Sequence, residues 1–391
     1  MKNQVCMIAY TGYAGDARVR REAETLVLNG YAVSFLVPKA GDRPRSYTLD
    51  GVEVVELNVR QYCGKSQRRY FLSYFAFLVR SFFACSARCL RGKIDVVHVH
   101  NMPNFLVFAT ILPRLVGKKV ILDIHDTMPE TYLAKFGNGA KPDRVFKLFC
   151  IEEAICSKLA NRLVAVNHTQ KAALVGRGIA EQKVAVSLNV PDHRRFVETE
   201  DQRTSQDPGS AFKLIYHGTL AKRLGVDLAI RAFAELAEKI PEIEFNILGV
   251  GDDETEFRSI AEELNLGSRI RFGGFVPIDN LLEALKGMQV GVVPNRKSLA
   301  SELMLPVKML EYVGLGIPVV VPRLTAIQHY FNDDMVRFYE PESVSDLARA
   351  IFDLHADPAL RERQVTEARK FLERYGWERH HKDLLGLYQS L

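Results

Sequence analysis

The chain predicts an α/β fold of two Rossmann-like, doubly wound domains facing across a cleft. Three observations carry this. Short apolar runs alternate with stretches of helical spacing along nearly the whole chain, as in βα units whose parallel strands are buried on both faces. That alternation breaks at a polar segment without periodicity, 198–210, and then restarts. The length, 391 residues, suits two domains of ordinary size. The expected division is a first domain over 1–197, a linker over 198–210, a second domain over 211–373, and a last helix over 374–391 that crosses back to the first domain.

In the first domain, Val5 to Ala9 reads as a strand, the loop Tyr10–Asp16 follows, and a helix runs from about Ala17 to Asn29, ended by Gly30. Ala32 to Val37 is the next strand. This is a βαβ opening without a GxGxxG fingerprint or an acid closing the second strand, so a dinucleotide site is a poor reading. Gly12, Gly15, Asp16 and Arg18 lie in or just after the first loop. They read either as a ligand-facing loop or as a tight turn with a capping aspartate. Residues 57–94 contain eight Lys/Arg and no acid, and Arg68 to Phe83 interleaves aromatics with arginines. Such a helix fits an anionic membrane interface; it equally fits a core-covering helix with solvated arginines. Two further strands, Val96–Asn101 and Val120–Asp126, end in polar clusters. Ligands of open α/β sheets gather at carboxyl ends of strands, which makes His100 and His125 candidates. A helix over 146–160 and strands over 162–166 and 184–188 complete the domain.

The second domain begins with a strand over 213–216, the turn His217-Gly218-Thr219-Leu220 and a helix over 225–240. Strands over 244–249, 270–272 and 290–294 follow, with helices over 254–265 and 280–286 between them. Ser301 to Val321 then reads as loop, helix, turn and strand. Pro306 suits the first helical position, and Gly316 a left-handed stop. Lys308 and Glu311 share one face near the helix N-terminus. Free amides and a lysine there attract an anion, and a carboxylate one turn on can accept from two adjacent hydroxyls, as on a ribose. The bland alternative is a surface ion pair.

The formal charge is +5 at pH 7 and unevenly spread. Up to Asp192 the chain has 27 Lys+Arg against 16 Asp+Glu; the remainder has 25 against 31. The N-terminal half should meet something anionic, a membrane surface or a phosphorylated acceptor. The six cysteines form no Cys-x-x-Cys or Cys/His array, so reduced thiols in cytosol are expected. The N-terminus reads as a first strand rather than a signal peptide, and no uncharged apolar run approaches a membrane span. The expected localisation is cytoplasmic, with a peripheral place on the inner face of the membrane as an option.

The stretch LPVKMLEYVGLGIPVV resembles the nucleotide-sugar signature of retaining glycosyltransferases of family 4, which have the two-domain GT-B fold. By that resemblance Glu311 is the second glutamate of a Glu-x7-Glu pair and holds the donor ribose. The first falls on Leu303, with Glu302 one residue off, and the amides of Met304 and Leu305 are expected to take over part of its contact with the sugar. IHDTMPE resembles the family's histidine segment, placing His125 near the reaction centre. YHGTLAKRLG resembles the first turn of the donor domain, with Thr219 and Leu224 standing where the family has Arg and Lys. Gly218, Thr219, Lys222 and Val276 complete the expected donor site. The leaving diphosphate needs a cation; Arg223 is first choice because its fork holds two oxygens, followed by Lys222 and Lys308. A solvated loop lysine is the competing reading of Lys222. Gly12, Gly15, Asp16, Arg18 and His100 face the acceptor in this reading.

The expected function is metal-independent, retaining transfer of a hexose or related sugar from a nucleotide diphosphate donor to a glycan or lipid-linked acceptor in cell-envelope polysaccharide synthesis. The chain contains no Asp-x-Asp to carry a divalent ion. No cofactor and no nucleic-acid partner are expected; an anionic membrane surface is a candidate partner. The rivals are a nucleotide-sugar epimerase of the same fold, and a non-catalytic glycan- or membrane-binding protein with a dead donor site.

Overall fold

The computed structural model describes residues 3–41, 44–62, 64, 66–136, 142–191 and 211–391. The chain divides into two compact units, Met1–Asn189 with His380–Leu391, and Val190–Arg379. The first unit thus closes at residue 189 rather than 197, and the return to it begins at 380 rather than 374. The expected linker, 198–210, lies outside the described residues.

Unit 1 runs β1 (Gln4–Ile8), α1 (Ala17–Leu28), β2 (Ala32–Lys39), β3 (Ser46–Leu49), β4 (Val52–Arg60), α2 (Gln67–Leu90), β5 (Val96–His100), α3 (Ile111–Leu115), β6 (Lys119–Ile124), α4 (Met128–Phe136), α5 (Arg144–Leu159), β7 (Arg162–Ala165), α6 (His168–Gly176) and β8 (Val184–Val186). Its eight strands are ordered β3-β4-β2-β1-β5-β6-β7-β8, parallel except for β3 against β4. The β3–β4 pair is absent from the sequence reading. β4, second from the edge, begins with alternating buried and wet residues, Val52 and Val54 in, Glu53 out, so it offers no continuous apolar run. One face of the sheet carries Cys6, Ile8 and Leu36 and packs against α2 through Phe77, Cys85 and Cys89, and against α5 through Cys156 and Ala160. The other face carries Val5, Met7 and Phe35 and packs against Val19, Ala23 and Leu26 of α1.

Unit 2 runs β9 (Phe212–His217), α7 (Val226–Ala237), β10 (Ile243–Leu248), α8 (Glu254–Glu263), β11 (Ile270–Gly274), α9 (Ile278–Leu285), β12 (Val290–Val292), α10 (Leu299–Glu302), α11 (Val307–Gly314), β13 (Val319–Pro322), α12 (Thr325–Tyr330), β14 (Arg337–Tyr339), α13 (Val344–Ala356) and α14 (Pro358–Tyr375). Six parallel strands are ordered β11-β10-β9-β12-β13-β14. The core joins Leu214, Tyr216 and Phe245 of the sheet to Phe233 of α7, Phe257 of α8 and Leu347 of α13. The last helix, α15 (Trp377–Gln389), sets Leu384, Leu387 and Tyr388 into the α1 side of unit 1.

Strand order reverses once in each sheet, between β1 and β5 in unit 1 and between β9 and β12 in unit 2. Crevices open at such switch points outside the carboxyl ends of the strands. The loops after β1, β5 and β9 therefore occupy the positions where a ligand would sit.

Candidate functional site

In unit 2 the site is built around α11. Pro306 is the flanking cap residue, one position earlier than expected, and Gly316 has a φ of +67° and stops the helix in the left-handed region. Lys308 extends from the first turn. Its stem is partly exposed, but Nζ is out of reach of solvent and has no hydrogen-bond partner. Nζ lies 3.8 Å from the centre of the Tyr216 ring, and the Tyr216 hydroxyl donates to the Thr219 carbonyl at 2.7 Å. Gly218 has a φ of +126°, which favours glycine, and a Cβ there would stand 2.9 Å from that nitrogen, so the ammonium lies close against the loop after β9. Burial, opposed by Glu311 and reinforced by Arg223, pulls the Lys308 pKa down to about 7. A buried ammonium without an anion is an incomplete ion pair.

Arg223 sits in the 3-10 turn Lys222–Leu224, exposed, with no carboxylate in ion-pair range among the described residues. Gly225 (φ +70°) then starts α7; a Cβ there would fall 1.9 Å from the Pro294 carbonyl, so the loops after β9 and β12 touch. Lys222 is different: it is exposed and bonded to Glu256 at 2.8 Å, which is the solvated-lysine reading. Glu311 accepts from His217 Nε2 at 2.7 Å, and His217 Nδ1 meets the Tyr312 hydroxyl at 2.8 Å. Since a carboxylate only accepts, Nε2 carries a proton. His217 thereby fixes the Glu311 carboxylate, a role the sequence reading missed.

Around position 303 the expectation is only partly met. The Met304 amide donates to the Ser301 carbonyl at 3.2 Å and is not free for a ligand. Leu305, in the extended segment before α11, has no such bond among the described residues. Leu303 is half-buried, and the neighbouring Glu302 is committed to the Thr325 amide at 2.7 Å and to its hydroxyl at 2.5 Å. Val276 is half-buried after β11, next to an exposed Phe275. Thr219 is exposed.

In unit 1, Asp16 has the capping role that the sequence allowed. It caps α1 by accepting from the Arg18 amide, and it accepts two bonds of 3.0 Å from the Arg18 guanidinium and one of 3.0 Å from Thr11. Burial would raise its pKa, but Arg18 outweighs it and holds the carboxyl well below the usual range. Gly12 and Gly15 have ordinary negative φ or open space where a Cβ would point, so neither packing nor strain requires glycine there.

The two histidines converge. His100 Nδ1 lies 3.1 Å from both His125 Nε2 and Asp123 Oδ2, and the His125 amide donates to Asn101 Oδ1 at 2.8 Å. Burial pulls the pKa of His125 down to about 4, so its ring is neutral near pH 7. His100, expected to face the acceptor, is only 1% exposed. Behind both lie His98, whose Nδ1 meets the Tyr388 hydroxyl at 2.8 Å, and buried Glu22. Burial and Asp123 push Glu22 up, whereas the surrounding histidines hold Asp123 down against its own burial. Glu22, His98, His100 and Asp123 each bring a ligand atom within 4.8 Å of the others, so a divalent cation would fit here. Glu22 Oε2, His98 Nε2, His100 Nε2, Asp123 Oδ1 and His125 Nδ1 are buried there without a hydrogen-bond partner among the described residues. A signal for this cluster exists in the sequence: His-x-His and Asp-x-His at period two on adjacent strands, with His100 paired to Asp123 in register.

Residues 17–195 match the family model "Glycosyltransferase Family 4", and residues 197–371 match "Glycosyl transferases group 1". An uncharacterized glycosyltransferase of Methanocaldococcus jannaschii is 22% identical over 94% of this chain and 92% of its own. Among solved structures, sucrose-phosphate synthase from Thermosynechococcus elongatus superposes with a TM-score of 0.80 at 18% identity, over 100% of this chain and 99% of that one. Anabaena HepE in complex with UDP and glucose superposes with a TM-score of 0.74 at 12% identity, over 100% of both chains.

Proposed function

The chain belongs to glycosyltransferase family 4 and has the GT-B fold, and from that premise we propose that it transfers a hexose or related sugar, with retention and without a metal ion, from a nucleoside diphosphate sugar to a glycan or lipid-linked acceptor of a cell-envelope polysaccharide. The observation that carries the donor half is the unpartnered, buried Lys308 ammonium beside the unpaired Arg223. As the glycosidic bond breaks, the leaving diphosphate gains a full negative charge. A cation already desolvated and held in place needs no reorganisation to meet it. Lys308 and Arg223 thus take the part that a carboxylate-bound divalent ion plays elsewhere, and Lys222, bonded to Glu256, is left out.

Glu311 receives the ribose hydroxyls. His217 uses one lone pair of its Oε2, and the rest of the carboxylate remains open to a ligand. UDP-sugars are the first donors to test, because a full-length structural neighbour is described with UDP and glucose. In unit 1 the loop Gly12–Arg18 and the neutral His125 ring serve the acceptor and the reacting sugar. Asp123 and His100 hold that ring in place. Anionic membrane is the partner surface of this reading.

The test is release of nucleoside diphosphate from a panel of nucleotide sugars, with and without glycan or lipid-linked acceptors. Release that depends on the acceptor supports transfer. Interconversion of the donor sugar without acceptor identifies an epimerase, and donor binding without turnover under any acceptor identifies a binding protein.

A further inference from the structure

The layer formed by α2, α3 and α5 has an outer surface of unusual composition. On α2, Phe71, Phe75, Val79, Phe83 and Leu90 are all exposed, at a spacing that places them in one stripe along the helix. On α5, Leu148, Ile151 and Ile155 are exposed, flanked by the exposed Arg144, Lys147 and Lys158. Leu115 and Val116 at the end of α3 are exposed as well. A segment at Asn104–Thr110 packs against both α2 and α5, and both helices pack on the same face of the sheet, so these stripes share one side of unit 1. Soluble surfaces rarely leave so much apolar area in water. The charge beside the α2 stripe is mainly positive: Arg68, Arg69, Arg80 and Arg91 are exposed on or beside α2, against the exposed Glu53 paired with Arg88 and Asp143 at the start of α5.

By length and composition α2 could cross a membrane, its most apolar 18-residue window having a mean hydropathy of 1.3, although Arg80 interrupts the apolar run. It is not free to cross, because Phe77, Cys85 and Cys89 are buried in the sheet packing. Such a helix lies on an interface.

Beside the stripe is a cavity of about 800 Å³ between the C-terminal half of α2 and residues of β2 and β4. Lys39, Arg45, Arg80, Arg88 and Arg91 line it together with Phe83, against the single acid Glu56. Arg88 is held by Glu53 at 2.7 Å, and the Glu56 carboxylate accepts from the Ala40 amide. The other four cations have no carboxylate in ion-pair range among the described residues. Four unneutralised cations converging on one cavity, with an exposed phenylalanine on its rim, match a phosphate attached to an apolar chain.

Resting on the membrane partner named in the functional reading, we propose that the α2–α3–α5 face seats on an anionic bilayer and that the Lys39/Arg45/Arg80/Arg91 cavity holds the phosphate of a lipid headgroup. The apolar stripes enter the acyl boundary, and the arginines face the phosphates around it. A lipid-borne acceptor would then reach unit 1 within the plane of the membrane.

Co-sedimentation of the full chain with vesicles tests this without any sugar donor. Wild type should bind vesicles of phosphatidylglycerol and phosphatidylcholine, release from them in high salt, and ignore pure phosphatidylcholine. Arg80→Gln/Arg91→Gln should lower partitioning about 30-fold, from roughly fivefold per charge. Phe75→Ser/Phe83→Ser should lower it further at equal charge. UDP binding and thermal melting of the same variants show that they are folded, and separate failure here from failure of the transferase reading. Equal binding to neutral vesicles, or no binding by folded wild type, overturns the docking. Wild-type partitioning by the arginine pair overturns the headgroup cavity. Inorganic diphosphate that stabilises wild type but not the arginine pair, with no vesicle binding, assigns the cavity to soluble phosphate and overturns the lipid proposal.

Discussion

Lys308→Met should weaken donor binding and stabilise the protein at once. Methionine keeps the length of the stem and removes the charge. For an ammonium about 4 Å from a phosphate charge, an effective dielectric near 20 gives about 4 kcal/mol of attraction. With a pKa of about 7 in the free protein, charging the lysine at pH 7.5 costs about 0.8 kcal/mol. The net loss is about 3 kcal/mol, on the order of 100-fold in Kd for UDP by calorimetry. The fold responds in the opposite direction. The folded-state pKa lies below the ordinary value of 10.5, so the native state carries a penalty that is complete below pH 7 and fades as pH rises toward 10.5. At pH 7 the variant should therefore melt several degrees higher than wild type, and the difference should shrink by pH 10. The wild-type protein should also lose UDP affinity as pH rises above 7, because binding then requires proton uptake, whereas Lys308→Met should show a flatter profile. A variant that binds UDP within twofold of wild type, or that melts lower at pH 7, would refute the buried-cation argument.

Glu311→Ala removes the ribose acceptor, two charge-assisted bonds of about 1.5–3 kcal/mol each, and orphans the His217 proton; UDP affinity should collapse in a protein that still melts cooperatively. Glu302→Ala should cost about 1 kcal/mol through loss of the bonds to Thr325, lowering Tm by a few degrees while leaving UDP affinity intact. A large affinity loss there would return Glu302 to the donor site. Turnover should persist in excess EDTA, and loss restored by Mn²⁺ or Mg²⁺ would overturn metal independence. His98 and His125, with pKa near 4, and His380, near 3, are all depressed by burial from 6.5. Their stabilisation is complete above pH 6.5 and is lost as pH falls through those values, so denaturation midpoints should drop steeply between pH 6 and 4. A flat profile there would show that these rings are solvated.

Periodicity in the sequence was enough to show the βα alternation, the restart of the pattern and the helix bearing Lys308 and Glu311. Buried parallel strands must be apolar throughout, and an amphipathic helix must repeat at its own pitch. The β3–β4 edge escaped because a half-wet strand alternates in a way that a loop with scattered valines also can. What the sequence left undecided depends on contacts distant along the chain. Lys308 and Glu311 three residues apart fit a surface pair as well as a ligand site. The structure sets Tyr216 and Gly218 against Nζ and His217 on the carboxylate, with no Lys308–Glu311 ion pair among the described residues, and that arrangement supports the ligand reading proposed above. Sequence proximity alone left open what Lys222 and Glu302 bind; in the structure Lys222 is bonded to Glu256 and Glu302 to Thr325. The aromatics of α2 followed the same logic. Composition placed them on an apolar helix, but only the packing of Phe77, Cys85 and Cys89 into the sheet left Phe71, Phe75 and Phe83 in water. Local spacing fixes which residues share a face; burial against the rest of the chain fixes which face is left for a ligand.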